Sequence, residues 1–254
     1  MRFRGVYHYM IHLVDRKITL SAIEKINNNK ILFIVGPRKS GKSQLLADAL
    51  GSHFFDNKLY KKYNCDNHNV RKILENKKAA EIYQEITKYT YVFFEEAQSL
   101  DNLDEIIKAA DMVYADSIVT NNKLKIVFTM SSVARRKPKY LQTMRGHYEL
   151  FHVLPFGVKE VVGDNNYIDY ERIMRFGLYP EVYQSNEEDA FEVLEEIVRE
   201  YLCRDIFMNN AINKTKPLLE LLRQLSLHIG DEISISKLAK YSEIDDRTVE
   251  RSLN

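Results

Sequence analysis

Residues Gly36-Pro37-Arg38-Lys39-Ser40-Gly41-Lys42-Ser43 have the types and spacing of a loop that holds phosphate. Backbone N–H groups of such a loop, backed by a helix N-terminus, form a concave anion site. A lysine placed as Lys42 is reaches the β- and γ-phosphates, and a hydroxyl placed as Ser43 is coordinates Mg²⁺. The candidate cofactor-binding segment is therefore Gly36 through Gln44. Further along, the adjacent carboxylates Glu95 and Glu96 close the apolar run Tyr91-Val92-Phe93-Phe94. Glu95 is expected to hold the metal, through a water, together with Ser43. Glu96 is expected to polarise the attacking water and place it in line with the γ-phosphate. Thr129 ends another apolar run and is the candidate to hydrogen-bond the γ-phosphate or that water, ahead of Ser131 and Ser132. Arg145, or Arg135 or Arg136 in the basic run Ala134–Lys139, could supply positive charge to a transition state. That run is otherwise a solvated face or a contact for a polyanion.

These groups converge only if the elements around them place them together. The run Ile31–Val35 reads as a short buried strand leading into the loop, and Gln44–Leu50 can begin a helix directly after it. Ile18, Leu20, Ile23 and Ile26 mark a helix before that strand, ended by Asn27-Asn28-Asn29. Later strands are predicted at Leu59–Cys65, Tyr91–Phe94, Lys125–Thr129 and Tyr148–Leu154, the last stopped by Pro155. A helical stretch from Val70 to Ile86 and an amphipathic helix from Leu103 to Met112 lie between them. Apolar strands alternating with helices imply an α/β fold, a parallel sheet covered by helices on both faces. Ligands in such sheets bind beyond the carboxyl ends of the strands, where Gly36, Glu95, Glu96 and Thr129 all fall.

Beyond residue 156 the pattern turns mostly helical. Phe191 to Leu202 and Leu218 to Leu227 recur at helical spacing, and Gly230 stops the second run. The segment Ile233–Leu253 reads as a helix-turn-helix: Ser236–Tyr241, a turn at Ser242-Glu243-Ile244, and a helix from Asp245, with Asp245 or Asp246 as its N-cap.

Composition bounds the rest. The chain has 254 residues and 45% hydrophobic content, room for one large domain or two smaller ones with a real core. A net charge of +1 creates no global field favouring nucleic acid or an anionic membrane. Cys65 and Cys203 are the only cysteines, which suits a reducing cytoplasm rather than a disulfide framework. The apolar stretch Val6–Val14 is too short to span a membrane. His8 with His12, and Cys65 with His68, lack the further ligands of a metal site. No Asn-Lys-x-Asp selects guanine, so ATP rather than GTP is the expected nucleotide.

With these residues in hand, the chain resembles the AAA+ ATPases of bacteria and archaea that join a P-loop domain to a winged helix and then to an uncharacterised nuclease-like domain. The resemblance rests on Gly36–Ser43, Phe94-Glu95-Glu96-Ala97-Gln98, Thr129-Met130-Ser131-Ser132 and Met144-Arg145-Gly146-His147. It extends through Leu154–Glu160, Gly177-Leu178-Tyr179-Pro180-Glu181 and Tyr201–Ile206. It implies a P-loop NTPase sheet of order 5-1-4-3-2, an ATPase domain over residues 1–156, a helical lid or connector over 157–213, and an incomplete winged helix over 214–254. Glu95 stands where that family has Asp, Met130 where it has Gly, and His147 where it has Arg. The chain stops at Asn254, inside or just after the second helix of the helix-turn-helix, so the wing and the nuclease-like domain are expected to lie outside it.

The resemblance implies Mg²⁺-dependent ATP hydrolysis coupled to conformational change. A nucleotide switch without turnover, or a DNA-binding regulator, is the alternative, and a small-molecule kinase is disfavoured by the helical ending. ATP is the expected ligand, with self-association or a protein partner open and no membrane partner. DNA contact is open too, although Asp245, Asp246 and Glu250 offset Arg247 and Arg251 on the candidate recognition helix.

Overall fold

The first helix, α1 (Thr19–Asn27), leads into β1 (Ile31–Val35), whose five residues are all buried. This is a computed structural model, and it describes residues 16–28, 30–51, 60–120, 124–131, 144, 146–162, 167–202 and 215–253. The chain divides into two compact units, 1–184 and 185–254.

In the first unit β1 is joined by β2 (Tyr60–Asn64), β3 (Tyr91–Glu95), β4 (Lys125–Met130) and β5 (Tyr148–His152). All pairings are parallel and the order is β2-β3-β4-β1-β5, as the resemblance implies. The central strands are apolar on both faces because helices cover both. α1 and α2 (Lys42–Leu50) pack on one face, where Ala22, Ile26, Leu45 and Leu46 meet Leu32, Ile34, Phe93 and Val127. α3 (His68–Glu75), α4 (Ala79–Ile86) and α5 (Leu103–Thr120) cover the other, burying Leu74, Ile82, Ile106 and Ile107. The edge strands β2 and β5 are more polar, which discourages further pairing.

The predicted helical stretch from Val70 to Ile86 is two helices. Asn67 caps the first, its side chain accepting from the Asn69 and Val70 N–H groups. The Asn102 amide donates to the Leu74 and Lys77 carbonyls at 2.8 and 3.2 Å, satisfying the chain where it breaks. α5 runs on to Thr120, well past the predicted stripe that ends at Met112.

On the α3–α5 face, five aromatic rings cross the sheet, one per strand in spatial order. Tyr63 stacks on Phe94 (5.1 Å), Phe94 on Phe128 (5.1 Å) and Phe128 on Phe33 (4.7 Å), while Tyr148 meets Phe33 edge-on (5.6 Å). Offset and edge-on pairs of this kind add to the burial of the rings.

After β5 the first unit continues through a 3₁₀ turn at Val158–Glu160 into α6 (Tyr170–Phe176) and α7 (Pro180–Gln184). The Phe156 N–H donates to the Leu178 carbonyl at 2.8 Å, tying α7's lead-in to the end of the sheet.

In the second unit, α8 (Glu187–Glu196) continues as a π-helical turn over Ile197–Leu202. α9 (Thr215–Leu227), α10 (Ile235–Ser242) and α11 (Asp246–Leu253) share a core of Leu218, Leu221, Leu238, Ala239 and Val249. α10 and α11 form the predicted helix-turn-helix. Glu243 sits at φ 56° in the turn, and Asp245 is the cap, accepting from the Thr248 N–H (3.0 Å) and hydroxyl (2.6 Å). Among the described residues, no helix is long and apolar enough to cross a membrane.

Phe128 is at the centre of the ring stack and fully buried. Phe128→Ala should lose about 3–5 kcal/mol of stability, measured by urea unfolding, because it removes two stacking partners and leaves a cavity.

Candidate functional site

Gly36 follows β1 at a point where the chain from β5 crosses close by. A Cβ added at Gly36 would lie 1.8 Å from the Val153 carbonyl oxygen, so only glycine fits. The loop then turns through Lys39 (φ 60°) and Gly41 (φ 87°), and Gly41 is the N-cap of α2. Left-handed backbone at Gly41 carries no Cβ penalty.

Lys42, the first residue of α2, has a side chain only 3% exposed. Its ammonium donates to the Gly36 and Pro37 carbonyls at 3.1 and 2.9 Å, and Glu96 Oε1 lies 3.6 Å away. Ser43 and Gln44 are exposed at the start of the same helix, and the Gln44 amide donates to Asp48 at 2.7 Å.

The acidic pair divides by strand parity. Glu95 ends β3 on the face where Phe93 meets α2, and it is 6% exposed. Its Oε2 is 2.9 Å from Lys62 Nζ on β2, while Oε1 is buried with no hydrogen-bond partner among the described residues. Glu96 lies beyond the strand at φ 50°, an uncommon conformation for a residue with a side chain. Two side chains hold it there. Its N–H donates to Thr129 Oγ1 at 3.1 Å, and its Oε2 accepts from the Gln98 amide at 2.7 Å. Gln98 also donates to Ser131 Oγ at 2.7 Å and accepts from the Ser131 N–H at 3.2 Å, bridging the ends of β3 and β4.

Arg38 reaches from the loop to Asp66 (3.1 Å) and lies 3.9 Å from Glu96 Oε2. Lys39 reaches Glu181 on α7 at 2.9 Å. Beneath the loop, buried Arg16 donates to the Ser40 and Leu154 carbonyls at 3.0 and 2.9 Å and pairs with Glu160 at 3.2 Å.

The fold therefore brings together Gly36 through Gln44, Glu95, Glu96 and Thr129. Arg145, Ser132, the run Ala134–Lys139, His8, His12 and Cys203 lie outside the described residues. Cys65 is buried. Burial, aided by the carboxylates of Asp66, Glu95 and Glu96, pushes its thiol up to about 12, which removes it as a thiolate ligand at neutral pH. Sequence reasoning missed Arg16 and Lys62. Arg16 carries no local signal. Lys62 could have been noticed as a cation within a run otherwise read as a strand.

The donor set fits a magnesium–nucleotide complex. Mg²⁺ takes oxygen ligands and uses one or two carboxylates plus substrate phosphates rather than an all-protein cage. A serine hydroxyl at Ser43 and a buried Glu95 oxygen with no partner are of that kind. Among the described residues, no cluster of three or more His, Cys, Asp or Glu side chains could hold an ion by itself.

Residues 28–162 match the family described as AAA domain, and residues 167–254 match a domain of unknown function, DUF8612. The uncharacterised protein MJ1544 of Methanocaldococcus jannaschii is 25% identical over 247 residues, spanning 89% of this chain and 52% of that protein. The chain thus spans about half the length of the curated relative it matches. Among solved structures, the Walker-type ATPase PABY2304 of Pyrococcus abyssi shares the fold, with a TM-score of 0.54 at 15% identity over 94% of this chain and 88% of that one. A looser likeness, TM-score 0.43 at 15% identity, links 93% of this chain to 84% of the AMPPCP-bound DnaA of Aquifex aeolicus.

Two substitutions test the local argument. Gly36→Ala should lose about 2–3 kcal/mol in urea unfolding, since its methyl meets the Val153 carbonyl and the backbone must shift. Thr129→Val should lose about 1–2 kcal/mol by leaving the Glu96 N–H without its acceptor, whereas Thr129→Ser should stay near wild type.

Proposed function

The chain belongs to the AAA-domain family of P-loop ATPases, and on that premise we propose that it binds ATP with Mg²⁺ and hydrolyses it. One contact carries the reading: the Lys42 ammonium lies between the loop carbonyls of Gly36 and Pro37 and the Glu96 carboxylate. That is where a triphosphate cradled by the loop would meet a residue able to orient water.

In this reading the loop amides and Lys42 bind phosphate oxygens, Lys42 exchanging carbonyl partners for them. Ser43 and Glu95 would hold Mg²⁺, which when bound would supply positive charge against the negative charge of the phosphates. Glu96 accepts a proton from water as that water attacks the γ-phosphorus, and the bond from phosphorus to the ADP oxygen breaks. Gln98 aims the Glu96 carboxylate, and Thr129 holds the backbone that carries it. Arg145 is proposed to contribute charge. Residues 1–156 would form the catalytic domain and 157–213 a connector. Residues 214–254 would form part of a winged helix that docks on protein rather than DNA, given the mixed charge of α11.

A second reading, an ATP-set switch with negligible turnover, is favoured by the ion pair between Glu95 and Lys62, which engages the metal carboxylate within the protein.

The test is Mg²⁺-dependent ATP turnover alongside nucleotide binding. Wild type should turn over. Glu96→Gln should bind ATP with turnover reduced at least about 100-fold, and Lys42→Ala should lose binding. Binding without turnover in wild type would support the switch. Binding unaffected by Lys42→Ala would overturn the site.

A further inference from the structure

We propose that Lys62 is a tethered cation that competes with Mg²⁺ for the Glu95 carboxylate and so sets how much Mg²⁺ the site requires. The proposal rests on the nucleotide reading above.

Parallel pairing places Lys62 level with Phe93, and Asn64 level with Glu95. Side chains alternate along a strand, so Tyr60, Lys62 and Asn64 share the face of Tyr91, Phe93 and Glu95. That is the face on which α2 packs, with Leu45 and Leu46 against Phe93. Lys62 thus comes from the sheet edge to the carboxylate assigned to the metal, and its ammonium meets Oε2 at 2.9 Å.

The two partners differ in freedom. The Glu95 side chain is 8% exposed, whereas that of Lys62 is 51% exposed on an edge strand. Withdrawal of Lys62 into water disturbs no core packing. Glu95 cannot follow it. The buried carboxylate then needs another cation, because an unpaired charge there is strongly disfavoured.

The surrounding charges point the same way. Lys62 faces Glu95, Arg38 faces Asp66, and Lys42 faces Glu96, with Arg38 also 3.9 Å from Glu96. Among the described residues, each of these carboxylates has a protein cation beside it before any metal arrives. A metal approaching Glu95 meets a carboxylate whose charge is already compensated, and it is repelled by the ammonium beside it. The longer glutamate side chain reaches toward the edge strand, where an aspartate would fall a methylene short.

The experiment is a Mg²⁺ titration of the protein saturated with a fluorescent ATP analogue, read by fluorescence and by calorimetry. Wild type, Lys62→Met, Lys62→Arg, Glu95→Gln and the double variant Lys62→Met/Glu95→Gln are compared. Lys62→Met should tighten apparent Mg²⁺ affinity at least about threefold, and Lys62→Arg should restore wild-type behaviour. In the Glu95→Gln background, removing Lys62 should change nothing, since the carboxylate they compete for is gone. Without metal, Lys62→Met should melt at a lower temperature than wild type, and Mg²⁺ with ATP should close that gap. Unchanged or weakened Mg²⁺ affinity in Lys62→Met would overturn the proposal and leave the pair purely structural. If no variant binds the analogue at any Mg²⁺ concentration, the nucleotide reading itself falls.

Discussion

The stack of rings from Tyr63, Phe94, Phe128, Phe33 and Tyr148 ties each strand to its neighbour at a defined register. Register decides everything downstream in a sheet like this, because a one-residue slip moves every side chain to the opposite face. Were β3 to slip, Glu95 would turn toward α3–α5 and Phe94 toward α2. With register held, the carboxyl ends of β1, β3 and β4 lie side by side. Gly36 follows directly from β1, Glu95 ends β3, and Thr129 precedes the last residue of β4.

At those ends the chemistry is governed by how charge is balanced rather than by any single group. Arg38, Lys39 and Lys42 each have a carboxylate partner, and Lys42 also donates to carbonyls of its own loop. Such an arrangement keeps buried charge paired. The uncommon turn at Glu96 is supported by the Thr129 hydroxyl and by Gln98, so the Glu96 carboxylate is held by two neighbouring strand ends. In the proposed reaction, preorganisation of this kind would serve water activation.

The loop is braced from below as well. Arg16 links the Ser40 carbonyl, the Leu154 carbonyl and Glu160, and stacks over Phe156. A buried ion pair adds little net stability against its desolvation penalty. Its effect here is geometric: one guanidinium joins the phosphate loop to the chain leaving β5. On the outer side, Lys39 and Glu181 connect the same loop to α7. Movement of α7 would therefore be felt at the loop.

The strands, the loop and the helix-turn-helix were legible in the sequence because each is a local pattern. An apolar run such as Ile31–Val35 needs no distant partner to be read, and Asp245 caps a helix through a neighbour three residues on. The α/β class and the residues at the strand ends followed from those patterns. The sheet order came from family resemblance, since alternation alone does not say which strands are neighbours. Where local signals were insufficient, long-range contacts decided. Asn102 satisfies the break between α3 and α4 from a different helix lead-in. Glycine at position 36 is required by the Val153 carbonyl, far along the chain, as much as by any phosphate. Arg16 and Lys62 acquire their roles only when folding places them against Ser40 and Glu95. Sequence by itself determined which groups have the types and spacing of a phosphate-binding loop, because residue type and short spacing set that pattern. Only the tertiary structure decided which charge faces which, because Coulomb interactions and hydrogen bonds depend on distance in space, not along the chain.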